Sequence, residues 1–220
     1  MVVKLGEKKK EKEKEKKDNE TDELLSMLSV ASERPEMRAL ALYGDVNEEK
    51  CVEVVYALLS LDFSTNTTVQ MSTEDNTIES FIADPIDFYI STYGGQATEM
   101  FSVYDTMRMI RERTPIHTHG LGKVMSAGVL LLAAGTKGER RIGKHCRVMI
   151  HGVVAGQHGH IADIENEFSE TKMTQSMYIN ALAEETDMTK KHIKKLMDKK
   201  TNVYINAEEA VNLGIADIIV

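Results

Sequence analysis

Gly122-Lys123-Val124-Met125-Ser126-Ala127-Gly128-Val129-Leu130-Leu131-Leu132 carries an extended stretch into an apolar helix, with a serine at the junction. A hydroxyl at a strand-to-helix turn is lifted off the sheet, where helix N-terminal N–H groups can receive an oxyanion. Gly122 before the serine and Ala127 and Gly128 after it leave room for a substrate carbonyl to reach the Ser126 hydroxyl and the Ala127 N–H. Downstream, Arg147-Val148-Met149-Ile150 reads as a strand that ends on His151 and enters a glycine-rich segment, Gly152 to Gly159. Strand ends are where sites gather in α/β sheets. The Ser126–His151 pair therefore points to acyl transfer, against the plainer readings of a helix cap and a polar end to the core.

Working outward, short apolar strands alternate with helices of 3.6-residue period. Arg38 to Tyr43 reads as a strand, and Asn47 caps a helix whose Val52, Val55, Tyr56 and Leu59 share one face, taken as the inward one. Ile86 to Ser91 is a second strand. After Gly94-Gly95 comes a helix with Met100, Val103, Tyr104, Met107 and Ile110 inward, closed by Thr114-Pro115 because the residue before proline disfavours the helical region. Ile116 to Gly120 is a third strand. Strands around Arg140 to Gly143 and Arg147 to His151 follow the Ser126 helix, then a long helix from about Ile161 to Glu185 and another opening at Thr189. Asn206 and Glu209 have capping-box spacing, Gly214 ends that short helix, and Ile215 to Val220 is a last strand. The alternation predicts an α/β fold with right-handed crossovers. Ser64 to Asp84 breaks the rhythm with Thr, Ser, Asn and acidic residues, and reads as a surface insertion, either a small hairpin or a partner-binding loop.

Composition bounds the function classes. With 220 residues and 42% apolar content the chain can bury one substantial core. Residues 1–20 hold eight lysines against five glutamates and one aspartate, a charge of +2, which leaves −10 on the other 200 residues of a chain whose net charge is −8. That acidic body argues against binding a phosphate backbone. Within the charged tail, 1–20, the run Glu7 to Lys17 alternates signs without apolar residues and predicts disorder or a frayed, solvated helix, while Leu24, Leu25 and Leu28 can form a short amphipathic segment. No apolar run is of membrane-spanning length and the N-terminus has no secretory h-region, so a soluble, cytoplasmic protein is expected. Two cysteines, Cys51 and Cys146, are too few for a disulfide framework.

These motifs resemble a known family. Ser91-Thr92-Tyr93-Gly94-Gly95, Tyr104-Asp105-Thr106-Met107, Met125-Ser126-Ala127-Gly128, Ala134-Gly135-Thr136-Lys137-Gly138, Arg147 to His151 and Ala207-Glu208-Glu209-Ala210 with Gly214 look like the proteolytic subunit of the Clp endopeptidase, ClpP. The resemblance runs from about Arg38 to Val220 and places 21–220 in one peptidase domain. It implies the ClpP/crotonase fold, a repeated ββα spiral with a protruding helical handle over about 152–185. It implies a serine endopeptidase with Ser126 as nucleophile, His151 as base, and the N–H groups of Gly95 and Ala127 as the oxyanion hole. Self-assembly into a heptameric ring, stacking of two rings through the handle, unfolded polypeptide substrates and an ATP-driven unfoldase partner are implied by the same analogy. The chain itself would then bind no cofactor.

Counting back from Glu209-Ala210, the family's triad aspartate falls on Asn202, its neighbouring arginine on Thr201, and a usual proline on Tyr93. The amide oxygen of Asn202 can accept from His151 Nδ1–H, but its NH₂ can equally bond a deprotonated Nδ1 and fix the wrong tautomer. In a Ser-His-Asp protease the change from aspartate to asparagine lowers turnover by about 10⁴, or roughly 5.4 kcal/mol of transition-state stabilisation. The expected activity is therefore attenuated. Asp198, one turn earlier, is an alternative acid if the segment bends. A catalytically impaired subunit that shapes a ring with an active partner is the competing reading. A crotonase-type acyl-CoA enzyme, which shares the paired N–H oxyanion hole, needs no serine nucleophile and is disfavoured by the Ser126–His151 pair.

Other side chains invite different chemistry. His117 and His119 share one face of a strand and His158 and His160 sit in a glycine loop, but no carboxylate or cysteine set completes a metal site at familiar spacing, so no metal is expected. His145 and Cys146 are adjacent strand residues and point to opposite faces. Lys123 or Lys144 offers a Ser–Lys dyad if His151 is dispensable.

Overall fold

The computed structural model describes residues 37–65, 67–71, 78–199 and 201–220, with side chains placed outside the 67–71 and 78–82 strands. Expectations for the 1–20 tail and for Leu24, Leu25 and Leu28 fall outside these residues. Arg38–Val220 forms one unit. Its main sheet contains β1 (Ala39–Val46), β4 (Ile86–Gly95), β5 (Ile116–Met125), β6 (Arg141–Ile142) and β9 (Ile218–Ile219) in that spatial order, all parallel. A branch leaves the second half of β5, where β7 (Arg147–Ile150) pairs in parallel and β8 (Val203–Ile205) adds to β7 antiparallel. The helices are α1 (Glu48–Phe63), α2 (Ala97–Arg111), α3 (Ala127–Ala133), α4 (Ile161–Glu185), α5 (Lys190–Met197) and α6 (Ala207–Asn212). The α/β expectation holds. Within 64–84, β2 (Thr67–Met71) and β3 (Ile78–Ala83) pair as a separate antiparallel ribbon, which is the hairpin alternative.

The core follows the sequence pattern with one correction. Ile86, Phe88 and Ile90 alternate inward along β4, and Met100, Val103, Tyr104, Met107 and Ile110 of α2 cover them. Every residue of α3 is buried, as befits a helix apolar on all sides. On α1, however, Cys51, Val54 and Leu58 face inward, while Val52 is 62% and Tyr56 74% exposed and Leu59 also faces out. The face expected to be inward is rotated by about one position; only Val55 packs partly on the core. Both stripes of α1 are apolar, so periodicity alone does not choose between them.

Several strands outrun their sequence-based bounds. β1 continues through a bulge to Val46, β4 runs on through the paired glycines, and β5 extends to Met125. The last strand, by contrast, shrinks to Ile218–Ile219. The extension of β5 positions the site. Its first half pairs with β6 at His119 and Gly120; a register shift over Leu121 to Lys123 then turns the second half onto β7 at Lys123, Val124 and Met125. Ser126 and His151 are thereby delivered from the ends of two neighbouring strands. The caps expected at Asn47, Thr189 and Asn206 are present, the last as a full capping box with Glu209.

The long helix divides in character. Residues 161–170 are exposed on every side, whereas Tyr178, Ala181, Leu182 and Glu185 are buried against the body. Arg111 forks onto Glu185 at 2.8 and 2.7 Å and Tyr104 donates to the same carboxylate at 2.9 Å, tying α4 to α2. Burial, which raises the Glu185 pKa, is outweighed by the hydrogen bonds from Arg111 and Tyr104, and the net direction is down.

Candidate active site

Ser126 is the sole non-glycine residue at positive φ among the described residues, with φ 54° and ψ −119°. Such a conformation costs on the order of 1–3 kcal/mol and persists where neighbours over-determine it. Its N–H donates to Met149 O at 2.8 Å, and its carbonyl accepts from Val129 N–H and from the Tyr178 hydroxyl, both at 3.0 Å. The paired glycines at the end of β4 press against the same turn. A Cβ on Gly94, at φ 100°, would lie 2.5 Å from Ser126 Cβ, and one on Gly95 would lie 2.1 Å from Val46 O. The glycines are thus required by close approach, beyond the needs of a tight turn.

The Ser126 hydroxyl stands 2.8 Å from His151 Nε2. With the imidazole proton on Nδ1, Nε2 accepts from the hydroxyl and is placed to take its proton. Gly95, Ala127, Ser126 and His151 line one cavity of about 710 Å³ together with Tyr93, Met100, Tyr178 and Met197. Ala127 is the first helical residue of α3, where an N–H has no carbonyl of its own helix to bond.

Asn202 lies on the other flank of the imidazole. β8 pairs with β7 as Ile150 opposite Val203, so continuing the register by one residue sets Asn202 opposite His151. The two line a second cavity of about 460 Å³ with Gln175, Asp198 and Thr201. Among the described residues, however, no hydrogen bond joins Asn202 or Asp198 to His151, and both are exposed. Gln175 accepts from Val153 N–H at 3.1 Å and braces the chain just after the histidine.

The chain belongs to the Clp protease family. The family model described as Clp protease matches residues 21–220. Across 184 residues the chain is 33% identical to ATP-dependent Clp protease proteolytic subunit 2 of Prochlorococcus marinus (strain NATL2A), covering 83% of this chain and 82% of that protein. Across 135 residues it is 34% identical to ATP-dependent Clp protease proteolytic subunit 4 of Rhodococcus jostii (strain RHA1), covering 61% and 68% respectively. It is thus a Clp-type peptidase, and the parallel sheet with its flanking helices is consistent with the ClpP fold.

Several other side chains with chemical potential have partners of their own in this Clp family member, while Lys144, His145, His158 and His160 are exposed. Lys123 Nζ sits 4.5 Å from the centroid of the Tyr93 ring, in cation–π geometry, and His151 occupies the hydrogen-bonding position on Ser126 Oγ. His145 faces out while Cys146 is buried, its thiol pushed up to about 11 by burial. His119 Nε2 lies 2.8 Å from Asp87 Oδ1 and its ring stacks on Tyr89, while burial lowers the pKa of His117 beside it. Among the described residues no three His, Cys, Asp or Glu side chains converge as a metal site, and no helix is long and apolar enough to cross a membrane. Cys51 and Cys146 are both free. Tyr178 escaped sequence reasoning because it sits in a helical apolar stripe with Ala181 and Leu182. Its hydroxyl was the available signal, since a buried tyrosine needs a hydrogen-bond partner.

Proposed function

We propose that this Clp peptidase cleaves polypeptides through Ser126, with His151 as general base and Asn202 as a weakened third member. The observation that carries the reading is the 2.8 Å contact between Ser126 Oγ and His151 Nε2 at a positive-φ turn. As Ser126 Oγ attacks the scissile carbonyl, His151 Nε2 takes its proton and the carbonyl oxygen becomes an oxyanion facing the N–H groups of Gly95 and Ala127. Collapse of the tetrahedral intermediate breaks the C–N bond, His151 protonates the leaving amine, and an acyl-serine remains. Water, deprotonated by the same imidazole, then releases the acid and restores the serine.

The imidazolium formed in each step needs a negative neighbour for full stabilisation. Asn202 offers a dipole instead, directly or through a water in the polar cavity that it shares with His151, so turnover is attenuated relative to an aspartate. Assembly into a heptameric ring, stacked or single, is supported by the exposed apolar faces of α1 and of the outer part of α4, including Tyr56, Phe63, Ile161 and Phe168. The names of both relatives include ATP dependence, and this supports an ATP-driven unfoldase as partner and unfolded chains as substrates. The absent hydrogen bond between Asn202 and His151 favours a second reading, an impaired subunit assembled with an active partner.

A fluorophosphonate probe with mass spectrometry of the adduct separates the two. The peptidase reading expects covalent labelling at Ser126 that Ser126→Ala abolishes along with all turnover. Folded protein that takes no label at Ser126 would overturn it.

A further inference from the structure

We propose that Tyr178 is a positioning residue, which aims the Ala127 N–H into the site by holding the carbonyl on the opposite side of the Ser126–Ala127 peptide. The inference rests on the serine-peptidase reading and extends it to a residue of the long helix α4. A trans peptide is planar, with its C=O and N–H pointing in opposite directions, so whatever fixes the Ser126 oxygen also fixes the Ala127 hydrogen. That oxygen has two donors, each at 3.0 Å: Val129 N–H and the Tyr178 hydroxyl. The Val129 bond belongs to the first turn of α3 and moves with it. The Tyr178 bond comes from a separate element, 52 residues further along the chain, and ties the peptide plane to the rest of the body.

Tyr178 is well suited to act as that reference. Its side chain is 6% exposed, and burial raises its phenol well above the usual tyrosine range, so the hydroxyl keeps its proton and donates throughout the neutral range. Two turns on, Glu185 is gripped by Arg111 and Tyr104. One turn before, Gln175 holds the Val153 N–H just beyond His151. One helix thus braces both the nucleophile's peptide and the chain after the base. A hydrogen bond to the carbonyl also polarises the amide and strengthens its N–H as a donor. The positive φ of Ser126 gives the brace its purpose, because a strained turn relaxes where its neighbours hold it less firmly, and the remaining Val129 bond moves with α3.

Loss of a whole oxyanion donor costs about 10²–10³ in turnover, and loosening one should cost less. Tyr178→Phe keeps the ring, and the Ser126 carbonyl keeps Val129 as a partner, so no buried acceptor is orphaned. Turnover is measured per site titrated to completion with fluorophosphonate, which counts folded, competent molecules only. A peptide aldehyde, whose serine adduct carries the oxyanion, serves as a second probe. For Tyr178→Phe, kcat per titrated site should fall about tenfold with KM within about twofold, and aldehyde inhibition should weaken by the same factor. Unchanged kcat and aldehyde affinity, or a rise in KM alone, would overturn the positioning role. Wild-type protein without Ser126-dependent turnover would instead remove the peptidase reading, and the positioning role with it.

Discussion

On the β5–α3 flank of the cavity, the Ser126 backbone is held by Met149, Val129 and Tyr178 and pressed by Gly94, while on the β8 flank Asn202 and Asp198 stand exposed without a bond to His151. The first flank is drawn from the buried core, where every group that could move the serine is itself packed. The second lies at a strand edge, where three residues of β8 pair with β7 and Asn202, just before them, is exposed. On the proposed mechanism, the organisation of the site is concentrated on Ser126 and the donors to its oxyanion. The element that should stabilise charge on the base is the least fixed part of the constellation.

The contrast can be broken most severely at Gly94. An added methyl meets Ser126 Cβ at 2.5 Å from a backbone at φ 100°, so Gly94→Ala must displace the serine turn. Because a displacement of about 1 Å in a reacting group can cost 10²-fold, turnover per titrated site should fall by about that factor or more, together with about 1–3 kcal/mol of stability measured by urea denaturation. A Gly94→Ala variant with wild-type turnover would show that the serine flank is looser than its packing implies.

On the scaffold side, the anchor of α4 at Glu185 carries a smaller effect. The Glu185 carboxyl has its pKa lowered in the fold, so its contribution to stability is present above the unfolded value, about 4.3, and is lost as pH falls through the folded value. Thermal melts of wild type should therefore drop on acidification below about pH 4, and Glu185→Gln should flatten that part of the profile. The same substitution leaves Arg111 without its carboxylate and should cost about 3 kcal/mol at neutral pH. An identical acid profile in both proteins would mean that the Arg111–Glu185–Tyr104 network does not anchor α4.

Much of this was legible in the sequence because it depends on local signals. The α2 core face, the cap at Thr189, the Asn206–Glu209 capping box and the 161–185 helix all came from period and capping chemistry. Ser126 and His151 were legible as strand-end residues beside glycines, and they meet at 2.8 Å. The inward face of α1 was not, since Val52, Tyr56 and Leu59 form a stripe as apolar as Cys51, Val54 and Leu58. Tyr178 was hidden for a different reason: its role depends on a contact 52 residues away, which no local pattern encodes. The bend in β5 that separates its β6 and β7 partners is likewise a property of the whole sheet.

The most direct test of the account is peptidase turnover of Asn202→Asp against wild type at neutral pH, normalised to titrated sites. A carboxylate opposite His151 supplies the charge that the amide lacks, and kcat should rise by about 10–100-fold, within the 10⁴ ceiling set by the reverse change in a Ser-His-Asp protease. Equal or lower turnover in the aspartate variant would contradict the claim that position 202 is where this site is incomplete.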